Sequence, residues 1–469
     1  MDYLSIVKLL DPILEAGPLL LVFLAFTLIG LAARRSFVRA VRAGLMITAG
    51  FGGVYILVGY FLSELAPAAE AVALRFGGAL PYTDNGWRAF YSFAFAWPAT
   101  YGVVALCLLV NLVMLLFSMT DTLNLNIRDY WLTGLAAMIL SLLSGSLAAG
   151  LIFAAFLVWA SLMLSDFFAQ RGYGTALGLP GLTLFLGLGT LWSVFSHYLG
   201  LLLDKAGIEP EPQQNPARVH QDLLGEPALL GAILGLLLGM GAGYYWVDTT
   251  LLVISLAIAL VLLPVMTDIL KKALADLHDE SGVILVIGRS RRQIHIGFDP
   301  SVAAGEPAIL TAAVLMVPII LVISLVIPGA MSMPFADLAS LMLFWVFAAV
   351  PQRFNLPRTL VICTLMTLFG IFASARGVAY WSDLVARNAG VTAPQGMGIT
   401  SWFNHLSPEM LTAGLLGENF EILGLNGIIL VCAVGVLVTA IFRLNYLRKQ
   451  KAGAGQSEAV EQQPFIRIE

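Results

Sequence analysis

The sequence predicts an all-α polytopic membrane protein, and three observations predict it. The 469 residues are 59% hydrophobic and only 12% charged, where a soluble domain is about one quarter charged. Apolar runs recur along the whole chain, each of about 20 residues and so long enough for a hydrocarbon core roughly 30 Å thick. Lysines and arginines gather in alternate loops, the pattern of a chain threaded back and forth. Backbone groups must pair within the lipid, so the runs are read as helices. They are too continuous for the alternation of an outer-membrane barrel.

The runs are Pro18–Ala33, Gly44–Leu62, Phe93–Phe117, Trp131–Leu143, Leu147–Leu164, Ala228–Tyr245, Leu251–Leu270, Ala308–Ile327, Leu338–Val350, Leu360–Ala375 and Ile422–Phe442, about eleven crossings. Trp131–Leu143 and Leu338–Val350 are short for a full span and are read as tilted, broken or re-entrant. The start MDYLSIVKLLDP lacks the basic residues and small-residue cleavage site of a signal peptide, so the first helix is expected to serve as the insertion signal. Arg34, Arg35, Arg39 and Arg42 place the first loop in the cytoplasm. The same count puts Lys271, Lys272, Arg289, Arg291 and Arg292 inside, then Arg353 and Arg358, and finally Arg443, Arg448, Lys449 and Lys451. An external N-terminus and a cytoplasmic C-terminus follow.

Segment 177–222 is different. LGLPGLTLFLGLG is apolar but broken by glycine and proline and reads as a re-entrant hairpin, followed by an amphipathic helix near Trp192–Lys205. The polar linker 207–222 separates two pseudo-repeat halves, about 1–206 and 223–445. Residues 278–302 read as a small hairpin, and the tail 446–469 as disordered. GEPALLGAIL at 225–234 is echoed by GEPAILTAAV at 305–314, a short internal repeat or a recurrent helix start.

A charge at a membrane helix costs about 2.5–3.5 kcal/mol on insertion scales and marks a cavity or pathway. Glu226 and Glu306 each precede a proline at the start of a run. Both fit the helix dipole there, and both offer a carboxylate that accepts hydrogen bonds from two adjacent hydroxyls. Asp337 opens the short ninth run, just after Gly329 and Pro334, either as an N-cap or as part of an interrupted-helix binding site. Asn85 and Trp87 lie before the third run, where Trp87 reads as an interfacial anchor or as a stacking face for a sugar ring. His197 and His405 fall in amphipathic segments and are expected at solvent or interface. Cys107, Cys363 and Cys432 show no metal spacing, and the chain carries no Walker loop or Ser-His-Asp order. No cofactor and no metal are expected. No block of like charge suggests nucleic acid.

Several pieces together carry a resemblance: NGW at 85–87 followed by VNLVMLL at 110–116, LGEPALLG at 224–231, IGFDP at 296–300, PFADLASL at 334–341 and NLPRTL at 355–360. Over most of residues 10–445 the chain resembles the galactitol-type enzyme IIC permeases of the sugar phosphotransferase system, relatives of the ascorbate permeases. The resemblance implies a homodimer in the bacterial inner membrane. Each protomer would have a core domain that holds the sugar and moves like an elevator, and a second domain at the dimer interface. It implies a carbohydrate or polyol substrate and cytosolic IIA and IIB partners, with IIB the phosphate donor and basic segment 271–292 a docking face. The permease itself has no phosphoryl-transfer residue. Glu226 and Asp337 match motifs expected to line the sugar site, and Trp87 matches less closely. The sequence departs from the family pattern at Trp131–Leu132, where a histidine usually follows the tryptophan. It departs again at LPGLTLFLGLG, in place of a Pro-His-Gly-Thr-Ser-like phrase, and at Glu306. Three functions fit: a polyol permease of the phosphotransferase system, a divergent transporter without coupled phosphorylation, and a membrane sensor that transports nothing.

Overall fold

The computed structural model describes residues 18–32, 35–78, 81–126, 129–208, 225–281, 286–287, 290–291, 294–327, 330–389 and 398–457. Most of the polar linker, Gly329 and the last twelve residues of the tail lie outside them.

In chain order the elements are α1 Pro18–Ala32, α2 Phe37–Arg75, β1 Tyr82–Asp84, α3 Gly86–Ala96, α4 Ala99–Leu116, β2 Thr122–Asn124, α5 Tyr130–Ser144 and α6 Leu147–Gln170. Then come α7 Tyr173–Ala176, β3 Leu182–Leu184, α8 Leu191–Lys205, α9 Pro227–Ala242, α10 Trp246–Ser281, β4 Val286–Ile287, β5 Ser290–Arg291 and β6 His295–Phe298. The chain closes with α11 Pro307–Val326, α12 Met342–Ala349, α13 Leu356–Ala389, β7 Gly398–Thr400, α14 Trp402–His405, α15 Pro408–Glu418 and α16 Phe420–Ser457. Among the described residues, seven helices are long and apolar enough to cross a membrane: α2, α4, α6, α10, α11, α13 and α16. Three more, α1, α5 and α9, are apolar but shorter. The helix α16 runs to Ser457, past the boundary at 445.

The two short runs are short for a physical reason. Every residue of α5 from Tyr130 to Ser141 is buried, and so is all of α12. A helix apolar on all sides and covered on all sides belongs to a protein core. The ninth run breaks into turns over 335–341 before α12 begins. The third run also breaks, at Trp97 and Pro98, into α3 and α4.

Two groups of helices result. The first is α1, α2, α9 and α10, which pack chiefly on one another. Here Gly231, Gly235 and Gly239 of α9 face Ala257, Val253 and Thr249 of α10. Glycines four apart let two helix backbones approach closely. The second group packs around α5 and includes α3, α4, α6, α15 and, through α6, the closing helix α16. Arg443 ties α16 inward: it pairs with Asp166 at 2.6 Å and Asp121 at 3.0 Å, while Thr120 and Thr122 hydroxyls also donate to Asp166.

The described residues also form two small parallel sheets. In one, β1 pairs with β7, Asp84 opposite Thr400. In the other, β6 lies between β2 and β3, with Thr122 opposite His295 and Leu184 opposite Phe298. Of the expected 278–302 hairpin, β4 and β5 pair antiparallel among the described residues. Non-helical backbone at membrane depth persists only where protein covers it, and strands β2, β3 and β6 are almost wholly buried. The glycine-rich stretch after β3 is buried too, and α8 follows it over the span expected for an amphipathic helix.

Candidate substrate site

The strands of both parallel sheets run into polar clusters at their carboxyl ends. At the β1/β7 sheet the organiser is Asp337, 0% exposed. Its Oδ1 accepts the Trp87 backbone N–H at 2.9 Å. Its Oδ2 accepts the Ser401 hydroxyl at 2.7 Å and the Phe403 N–H at 2.9 Å. One carboxylate thus ties three segments distant in sequence: the turn before α12, the start of α3 and the turn after β7. Asp84 stands beside it, also buried, and its Oδ1 accepts from Gly86 and Trp402 N–H groups at 3.2 and 3.3 Å. Burial, with the Asp337 charge adding to it, pushes Asp84 well above the usual carboxylate range. Two acids this close do not both ionise readily.

At the second sheet, buried Asp299 follows β6. It accepts the Tyr55 hydroxyl at 3.1 Å and the Ser301 N–H at 2.8 Å. Asn126 Nδ2 lies 2.7 Å from Asp129, 3.0 Å from the Phe185 carbonyl and 3.3 Å from Asp299.

An aromatic wall joins the clusters. The Trp87 ring lies 6.1 Å from Tyr55, 6.3 Å from Trp131 and 6.2 Å from Phe403. Its indole N–H donates to Ser340 at 3.0 Å. Backbone and side chain are therefore both fixed, and the ring is held at a set angle. On its open side is a cavity of about 410 Å³ lined by Leu19, Phe51, Tyr55, Ile56, Trp87 and Arg88. The Arg88 guanidinium lies 5.7 Å from the Trp87 ring centre, within reach of a cation–π contact. Aromatic faces rimmed by hydroxyl and charged groups suit a ligand with one apolar face and polar edges.

The model of the phosphotransferase-system sugar-specific permease component family matches residues 12–396. The chain belongs to that family. It is 28% identical over 457 residues to the galactitol-specific EIIC component of the phosphotransferase system in Escherichia coli K12, covering 94% of this chain and 97% of the relative. The same figures hold for the galactitol-specific EIIC component of Escherichia coli O157:H7. As a member of this sugar-specific permease family, the chain is a multi-pass membrane protein.

Within the permease, Trp87 and Asp337 come together as described. Asn85 is exposed at the start of α3, and its N–H donates to the Thr400 carbonyl at 2.8 Å. Glu226 and Glu306 are the N-cap residues of α9 and α11, each followed by proline in the first turn. Glu226 is exposed, and Glu306 is ion-paired with Lys271 of α10. Neither is bonded to the Asp337 cluster. His405, expected at solvent or interface, is instead buried against the Thr400 hydroxyl.

Sequence reasoning passed over Asp84, Tyr55, Asp299 and Ser401 as site residues. A signal existed for two of them. Asp84 stands directly before Asn85-Gly86-Trp87, and Asp299 lies inside the matched IGFDP phrase. Tyr55 and Ser401 offered none, being single polar residues whose partners are remote in sequence.

Proposed function

We propose that this protein is the permease subunit of a phosphotransferase system in a bacterial inner membrane, carrying an uncharged polyol or sugar past Trp87. The observation that supports this reading most is the clamped Trp87 ring beside its cavity, with Tyr55 on another wall. A rigid aromatic face covers the C–H side of a polyol at little entropic cost, and Tyr55 hydroxyl and Arg88 supply polar edges. Asp337 acts in the substrate site by positioning Trp87. Glu226 and Glu306 serve as carboxylates on the path to it, and Asn85 lies at its rim. The galactitol named for the two relatives makes galactitol the first solute to test.

In the same reading the N-terminus is external and the C-terminus cytoplasmic. A IIB protein, phosphorylated by IIA, docks on the cytoplasmic face near the basic segment 271–292 and phosphorylates the emerging solute. The helices α1, α2, α9 and α10 form the fixed, dimer-building scaffold, and the group around α5 carries the solute. The two halves 1–206 and 223–445 each contribute a pair of scaffold helices followed by core elements, which suits a repeat-built elevator.

The deciding experiment is tritiated galactitol binding to the protein in nanodiscs, with Trp87→Phe and Trp87→Leu alongside. Trp87→Phe should keep most of the affinity and Trp87→Leu should lose at least tenfold. Equal binding by all three would remove Trp87 from the site. Absence of binding across a panel of hexitols and hexoses would overturn the permease assignment for this solute class.

A further inference from the structure

The turn from Ser401 to Glu409 is pinned at both ends and unsatisfied in the middle. At its start, Ser401 Oγ and Phe403 N–H bond Asp337. At its end, Glu409 Oε2 accepts the Leu188 N–H at 2.6 Å. Between them Asn404 is 0% exposed, yet neither its amide oxygen nor its amide nitrogen has a hydrogen-bond partner. The Ser407 hydroxyl and the Glu409 carboxyl are hydrogen-bonding neighbours at the end of the turn. A buried asparagine with both amide atoms unpaired is rare in native proteins.

We propose that this turn is a second face of the solute site, and that Asn404 and Glu409 read the hydroxyls of an uncharged polyhydroxylated solute. The proposal rests on the permease reading and deepens it.

Position supports it. Phe403, next to Asn404, has its ring 6.2 Å from Trp87 and 4.8 Å from Phe344. The far wall is the glycine-rich turn after β3. Gly187 there has φ +50°, and a Cβ on it would come within 2.6 Å of Glu409 Oε1. Only glycine lets that backbone approach the carboxylate so closely. The turn therefore bridges the Trp87 wall and the buried loop that the sequence marked as re-entrant.

Chemistry narrows the ligand. An amide presents both donors and an acceptor, and a carboxylate accepts from two hydroxyls at once. Together they complement a diol, whose hydroxyls each donate and accept. A sugar acid would bring an uncompensated charge into this buried site, which costs free energy. The site therefore favours neutral polyols and rejects sugar acids.

The test uses the full-length protein in nanodiscs with galactitol and galactonate as probes, for wild type, Asn404→Leu and Glu409→Gln. The wild type should bind galactitol and not galactonate. Asn404→Leu should lose at least tenfold in galactitol affinity. Glu409→Gln should lose a similar factor and reduce the discrimination against galactonate. Asn404→Leu removes the orphaned amide, so its melting temperature without solute should hold or rise, separating lost binding from lost folding. Should Asn404→Leu not fold, Ser407→Ala probes the same face, with a smaller loss of affinity expected. Wild-type galactitol affinity in folded variants, with or without a gain in stability, would overturn this proposal alone. A wild type that binds neither galactitol nor any other hexitol or hexose would overturn the permease reading along with it.

Discussion

Removing the Asp337 side chain would take that acceptor from the Trp87 and Phe403 N–H groups and from the Ser401 hydroxyl. Each buried orphan costs about 1–3 kcal/mol, so the total, roughly 3–9 kcal/mol, rivals the stability of a typical domain. Asp337→Ala should therefore fail to give monodisperse protein. Asp337→Asn keeps one acceptor and should fold with a lower melting temperature and a red-shifted tryptophan emission as Trp87 loosens. An unshifted spectrum and an unchanged melting temperature would show that the carboxylate does not organise the site. Its neighbour Asp84 gives a pH prediction. The folded pKa of Asp84 is raised by burial and by the Asp337 charge, so the folded state holds that proton more tightly than the unfolded chain does. The resulting stability is full below the unfolded value of about 3.9 and is lost as pH rises toward the folded value. The melting temperature should fall across that window, and Asp84→Asn should flatten the slope. At this scale the sequence was half legible. Asp337 and Trp87 stood out by type and by the breaks around them, but Glu226 has the same acidic-then-helix pattern and is exposed. What separates them is the company each keeps, and Asp337 finds it more than sixty residues away at Ser401 and Phe403.

At the scale of elements, long helices were legible and short strands were not. A 20-residue apolar run announces itself, and the two runs too short to span proved to be covered core helices. The strands β1, β2, β3 and β7 are three residues each, below the four to eight over which alternation registers. Their partners are remote, so β6 read as part of a local hairpin although it lies between β2 and β3. The glycine spacing in α9 was visible in the sequence, but its use was not. A Cβ on Gly235 would lie 2.7 Å from Val253 Cα, a backbone atom that cannot step aside. Gly235→Val should therefore force α9 and α10 apart and cost about 1–3 kcal/mol. Thermal unfolding in detergent would register this as an earlier transition. Gly102, with nothing within 4 Å of an added Cβ, gives the control: Gly102→Ala should leave the transition unchanged or slightly raised.

For the whole molecule, the charge pattern of the loops carried the membrane reading, whereas the division into two helix groups required coordinates. Among the described residues, the polar contacts between the group α1, α2, α9 and α10 and the rest of the protein include the Tyr55–Asp299 hydrogen bond and the Lys271–Glu306 ion pair. Packed helices can shear past one another without unpacking their own groups. If transport requires the core to move against the scaffold, fastening the boundary must stop it. Lys271→Cys with Glu306→Cys places one thiol on α10 of the first group and one at the start of α11 outside it, where the native side chains touch. The native Cys107, Cys363 and Cys432 are all buried, and buried thiols react poorly, so a short reversible bis-thiosulfonate should bridge the introduced pair selectively. Solute uptake into vesicles should cease on bridging and return on reduction, while each single-cysteine variant is unaffected by the reagent. Uptake that continues at the uncross-linked rate in fully bridged protein would mean that the two groups travel as one body, and the moving parts would have to be sought inside the core.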